Sequence, residues 1–254
     1  MSNRAPSLQE TLVAAFQSQA NNMYTMLPCV VVAVRENLNT QMVDIQPTIN
    51  QKMKDGTVKE RTVILGVPVV FPVSKSAGFT FPISVGDTGM AVFSMRNLDA
   101  WKSGNGKPST PMNFAKMDKG DAVFVPGLQP MSMAVNNPAK RLWEHDTRDA
   151  VLVNGIGTAS ECEVRLKPNG SVLIRTNQSI SVECDTADVL ADTSVTITTP
   201  ELNINADVNI IGNVVHTGNY NQTGNYTLTG GNATFNGIIF NTHVHGGSPG
   251  PSNP

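Results

Sequence analysis

The 254-residue chain is long enough for one large domain or two modest ones, and its formal net charge of −2 gives no basic footprint of the kind a nucleic-acid binder carries. The charge is unevenly placed: all 18 Lys and Arg precede residue 176, while six of the 20 acidic residues follow it. Three cysteines, Cys29, Cys162 and Cys184, lack metal-site spacing and cannot all pair within one chain.

Residues 1–26 read as an N-terminal helical arm. Residues 1–6 have no apolar signal core, and the longest apolar run, 63–73, is short and carries Pro68 and Pro72, so neither a signal peptide nor a membrane span is expected. The chain is expected to be made and folded in the cytoplasm. Ser7-Leu-Gln-Glu10 is a capping box, and Leu8, Leu12, Phe16 and Met23 follow at helical spacing, which predicts an amphipathic helix over 8–24. Two readings are open: a helix packed on its own domain, or a docking arm for a partner or a neighbouring subunit.

Over 27–135 the period switches to two. Strands are expected at 30–34, 41–45, 61–70, 88–93 and 122–125, with a short helical piece at 98–101 and turns at 37–39, 54–56, 85–87 and 103–106. Five strands with one short helix suit a small closed barrel of the oligonucleotide/oligosaccharide-binding (OB) type. No basic stripe interleaved with exposed aromatics accompanies it, so no nucleic-acid partner is expected. Cys29, within Cys29-Val-Val-Val-Ala-Val, reads as a buried, inert thiol.

Residues 136–170 read as a polar, turn-rich connecting segment, with His145 between Glu144 and Asp146 in a solvated turn. Gly155-Ile-Gly157 lacks the third glycine and the following helix of a dinucleotide site. With no nucleophile elbow and no P-loop, the chain is expected not to be an enzyme.

Residues 171–242 are a string of very short strands. Apolar pairs two residues apart recur at Val172/Ile174, Ile180/Val182, Val195/Ile197, Leu202/Ile204, Val208/Ile210, Tyr226/Leu228 and Ile238/Phe240. A glycine ladder follows at Gly212, Gly218, Gly224, Gly230 and Gly237. A repeat this short is one strand plus one turn, the mark of a β-solenoid. Each strand offers only two inward apolar side chains, so the strands must close around a common axis. A single chain closes in this way as a left-handed hexapeptide helix, which wants an aliphatic residue before each glycine. Ile211-Gly212 fits, but Thr217-Gly218, Thr223-Gly224 and Thr229-Gly230 do not. The spacing therefore favours three identical chains intertwined about a three-fold axis.

Thr242-His243-Val244-His245 closes the repeat, and residues 243–254 form the apex. On a strand His243 and His245 share a face, and a trimer would bring six imidazoles together as a candidate octahedral metal site.

The pieces together resemble the central membrane-piercing spike of contractile-tailed bacteriophages, the baseplate assembly protein V family. The first half is similar to the branch that includes the spike of phage phi-92, through Gly78-Phe-Thr-Phe-Pro-Ile-Ser-Val-Gly-Asp87, Leu98-Asp-Ala-Trp-Lys-Ser-Gly104 and Asp121-Ala-Val-Phe-Val-Pro-Gly127. The second half is similar to the family's triple-stranded β-helix with its H-x-H apex. The resemblance implies an all-β homotrimer, an OB barrel followed by an intertwined needle, mounted on the tail hub of the baseplate. It also implies one structural iron ion per trimer, held by His243 and His245 of three chains, and a place at the tip of the virion, where the trimer pierces the host outer membrane. About 35 residues separate barrel and needle, too few for the lysozyme domain some relatives carry.

Two rival readings belong to other classes. A trimeric receptor-binding fibre tip would need a broad distal head, and nine residues after His245 leave no room for one. A hexapeptide-repeat acyltransferase, with His216 as its base, would need regular aliphatic-Gly steps.

Overall fold

The computed structural model describes residues 6–21, 23–37, 40–53, 55–236 and 238–239, in two compact units, Met1–Glu183 and Cys184–Pro254. The first opens with helix α1 (Leu8–Asn21), three residues shorter than the periodicity predicts. Its capping box forms as expected: the Glu10 N–H donates to Ser7 Oγ at 3.2 Å, and the Ser7 N–H donates to Glu10 Oε2 at 2.6 Å. Residues 8–20 are exposed on every side of the helix, Leu8 and Phe16 among them. The reading of α1 as a helix packed on its own domain therefore falls.

Next come β1 (Met26–Asn37), β2 (Thr40–Pro47), a two-rung hairpin of β3 (Gln51–Lys52) and β4 (Val58–Lys59), then β5 (Ile64–Pro68), β6 (Thr88–Phe93), helix α2 (Asp99–Lys102) and β7 (Ala122–Pro126). All five strands expected between 27 and 135 are present, and only the small β3–β4 hairpin was not foreseen. The main sheet has the order β5-β2-β1-β6-β7, antiparallel throughout. It curls until its edges meet: Val69 pairs with Phe124 in parallel, and the Val70 N–H donates to the Phe124 carbonyl at 2.8 Å. A bulge in β1, between Val31 and Ala33, supplies the bend. On the near side of that bulge Cys29 pairs with Pro47 of β2 and with Gly89 of β6, so one strand serves two neighbours.

Alternation then builds the core. Val31, Val43, Ile45, Val67, Ala91 and Phe124 turn inward and are essentially inaccessible to solvent. Gly89 is required by this packing, since a Cβ there would lie 2.5 Å from the Phe124 ring and from the Val125 carbonyl. Cys29 is buried as expected, and burial pushes its thiol up to about 11. Buried Asp121 ties α2 to the barrel, its Oδ1 accepting from the Leu98 N–H at 2.8 Å and from Asn97 Nδ2 at 3.0 Å.

The segment read as a turn-rich bridge contains most of a second sheet. Strands β8 (Ala150–Asn154), β9 (Cys162–Leu166) and β10 (Val172–Thr176) form an antiparallel meander with β9 in the centre. The turns hid it: Gly155 and Gly157, both at positive φ, turn β8 into β9, and Gly170 at φ +84° turns β9 into β10.

From 177 to 233 the chain makes no strand pairing with itself, and only β11 (Thr234–Phe235) and β12 (Ile238–Ile239) pair beyond it among the described residues. The glycine period is visible in the backbone: Gly212, Gly218, Gly224 and Gly230 all take positive φ, from +140° to +78°. Apart from α1, α2 and two 3-10 turns, the described fold is all-β.

Candidate functional site

The expected metal ligands His243 and His245 lie outside the described residues, as does Phe240 of the last apolar pair. Among the described residues no group of three or more His, Cys, Asp or Glu side chains is placed to hold a metal ion. His216, the base of the acyltransferase reading, is exposed; its Nε2 lies 3.0 Å from the Asn219 carbonyl and its ring stands edge-on to Tyr220. Among the described residues no helix is long and apolar enough to cross a membrane.

What the structure does place is a long run of uncovered apolar pairs. Ile180/Val182, Val195/Ile197, Leu202/Ile204 and Val208/Ile210 are between 59% and 77% exposed, in a stretch with no strand partner of its own. Isolated surface leucines and valines are ordinary, but a periodic run of them marks a surface that something else covers.

The β8–β10 sheet carries a buried ion network that sequence reasoning missed. Residues 141–145 cross one of its faces. Arg141 Nε donates to Glu161 Oε1 at 2.8 Å and its second guanidinium nitrogen to Glu163 Oε2 at 2.8 Å. Arg165 Nε lies 2.6 Å from Glu163 Oε1, a contact whose angle makes it ionic rather than a directed hydrogen bond. The rest of the Arg165 guanidinium donates to the Trp143 and Glu144 carbonyls at 2.7 and 2.9 Å. All four charged side chains are at most 5% exposed, and two positive charges balance two negative ones. Burial pushes the Glu161 carboxyl up, but the N–H groups of Leu142 and Gly157 and the Arg141 guanidinium outweigh it and hold the group below the usual carboxylate range. The Arg175 guanidinium, 5.4 Å from the centre of the Trp143 ring, closes the layer. A signal was present in Glu161-x-Glu163-x-Arg165, a period-two charge row, but the ordinary rule turns such a row toward water.

His145 is corrected with it. It is 6% exposed, not solvated; its Nε2 lies 3.1 Å from Asn136 Oδ1, and its Nδ1 has no hydrogen-bond partner among the described residues. The neighbouring Asp146 turns away to Arg148, whose hydrogen bonds hold its carboxyl down at about 2.

Residues 27–127, which span the barrel strands, match the family described as the phage protein Gp138 N-terminal domain. No curated protein matches the chain. That stretch of the chain is thus similar to a phage-protein domain, and the match supports a phage structural component, a constituent of the virion.

Proposed function

We propose that the chain is the central spike of a contractile phage tail: a non-catalytic homotrimer held on the baseplate hub by its N-terminal half and driven C-terminal end first through the host outer membrane. The observation that carries this reading is the row of uncovered apolar pairs from Ile180 to Ile210, unpaired within the chain and following a barrel that matches a phage-protein domain. Two apolar side chains in a six-residue repeat contribute about 3–6 kcal/mol when buried. Ordering the backbone of six residues costs about 6–12 kcal/mol. A lone repeat therefore does not order itself, and needs neighbours that also share its backbone hydrogen bonds. Three copies wound about one axis, each giving a strand in turn to each face, supply both.

The strand order β5-β2-β1-β6-β7, closed by the parallel Val69–Phe124 pairing, supports an OB-type barrel for the hub-proximal half. About eleven strand layers at ~4.8 Å give a shaft of roughly 50 Å, comparable to one bilayer with its headgroups. Without a charged side chain after Asp207, such a shaft stacks no like charges along its distal part.

His243 and His245 of three copies would hold the apical ion. Six neutral imidazoles suit iron, nickel or copper, and disfavour both oxygen-seeking magnesium and four-coordinate zinc. The ion, iron in this reading, would clamp the strand ends structurally, with no open position for a substrate. Elemental analysis tests the reading: one transition-metal ion per three chains in the wild type, and none in His243→Ala/His245→Ala, whose shaft stays trimeric. Stoichiometric metal in the double variant would overturn the apical site.

A further inference from the structure

The β8–β10 sheet is charged on the face it buries and apolar on the face it leaves open. Registers settle which residues share a side. Val164, at the centre of β9, pairs with Leu152 of β8 and Ile174 of β10, while Leu166 pairs with Ala150 and Val172. Glu163 and Arg165 alternate to the opposite side and lie in the ion network. Leu152, Leu166, Val172 and Ile174 are between 52% and 63% exposed, and no ionisable carboxylate or base stands among the residues that share their side. A groove of about 680 Å³ crosses this face, with Phe79 and Phe81 as one wall and Ile180 at its lip. The aromatic wall is anchored, since Phe81 stands edge-on to Phe71, which packs on the barrel core, at 5.2 Å between ring centres.

We infer that this open face is a contact surface for further copies of the same chain, so that assembly begins at Leu152, Val164 and Ile174 and not only in the repeat that follows. The inference rests on the trimeric reading above. Three observations select a second copy over a foreign partner. The two-residue apolar spacing of Val172 and Ile174 continues along the sequence at Ile180/Val182 and Val195/Ile197, so the face is continuous in pattern with the row that the trimeric reading buries, and a second copy brings apolar rows of the same spacing to it. The face is uncharged, so copies related by symmetry bring no like charges together. Strands β8 and β10 are edges of a three-stranded sheet, open to strand pairing, and the ion network behind β9 holds the face preformed.

The test uses the full chain in sedimentation velocity at micromolar concentration, with urea dissociation alongside. The wild type should be a trimer. Leu152→Glu, a charge at a half-exposed position that the single chain tolerates, should raise the free-monomer fraction at least tenfold. Ile174→Ala should lower the dissociation midpoint by less, and decides the matter if Leu152→Glu misfolds. Phe114→Glu, at a 97% exposed site off this face, should leave both readouts unchanged. A monomeric wild type overturns the trimeric reading and this inference together. A trimeric wild type indifferent to Leu152→Glu and Ile174→Ala overturns this inference alone. In that case a freely maleimide-reactive Leu152→Cys, made with Cys162→Ser and Cys184→Ser, marks an open face, and a protected one marks cover by another element such as α1; both contradict the assignment.

Discussion

Glu161 is the residue on which the second sheet turns. Its side chain is fully buried and accepts from Arg141 and from two backbone N–H groups, so it has no water to fall back on. Glu161→Gln keeps the shape but sets an NH2 against donors and leaves the Arg141 charge half paired. Breaking a buried pair in this way costs about 3–5 kcal/mol, and the urea midpoint of unfolding should fall accordingly. The sign of the acid response follows. The folded carboxyl sits below its ordinary range, so its stabilisation is complete above the unfolded value of about 4.3 and is lost as pH falls through the folded value. A urea midpoint that holds constant from pH 7 to 5 and drops below pH 4 agrees; in Glu161→Gln that drop should be smaller, what remains coming from the other carboxyls held low, Asp44, Asp55 and Asp146. In the barrel, Phe124→Ala removes the ring that packs over Gly89 and should cost about 3–5 kcal/mol, measured by the same unfolding.

Elements divide sharply by how they bury themselves, and that division decides what was legible in the sequence. Strands β1, β2, β5, β6 and β7 alternate buried with more exposed residues, and although the outward row is largely apolar in β6 and β7 (Met90, Val92, Val123, Val125), β-branched runs of period two between turn residues made them legible; β6 was placed to the residue. α1 announced itself through Ser7 and Glu10. β8 and β9 escaped because β9 inverts the usual pattern, hiding Glu163 and Arg165 and showing Val164 and Leu166, and because glycine turns made the region look like loop; β10 was expected at Val172/Ile174, but as the first strand of the repeat and not as the edge of this sheet. His145 was misread for the same cause, since a polar cluster covered by residues 136–145 looks solvated in one dimension. The repeat was legible as a pattern, but the chain makes no strand pairing with itself from 177 to 233, so the strands expected there belong to the trimeric proposal. The exposure of α1 makes a further expectation. Removing residues 1–21 should leave the barrel's thermal unfolding within about 0.5 kcal/mol of the full chain, because no core is touched. Within the repeat, Ile204→Asp would set three charges together on the proposed axis, at several kcal/mol each if unpaired. It should abolish trimer formation, and normal assembly of that variant would mean that Ile204 faces outward.

At the scale of the whole molecule the account joins a self-sufficient half to a dependent one. The barrel closes its own core and needs no copy to fold. The repeat displays its apolar pairs and, in the trimeric proposal, covers them with others like itself, and the β8–β10 sheet, buried behind and apolar in front, stands between the two in sequence. As the proposed spike, such a chain would be anchored by its barrel and hardened by a repeat that orders only in the trimer. Chains that are intertwined must unfold together, so the trimer should resist dissociation by detergent at room temperature. The most direct measurement of the central claim is sedimentation equilibrium of the full-length chain across micromolar concentrations. The account predicts a single species of three chains at every concentration, with dissociation and loss of β-structure in the repeat occurring together. A monomer that stays folded through residues 171–242 would contradict it.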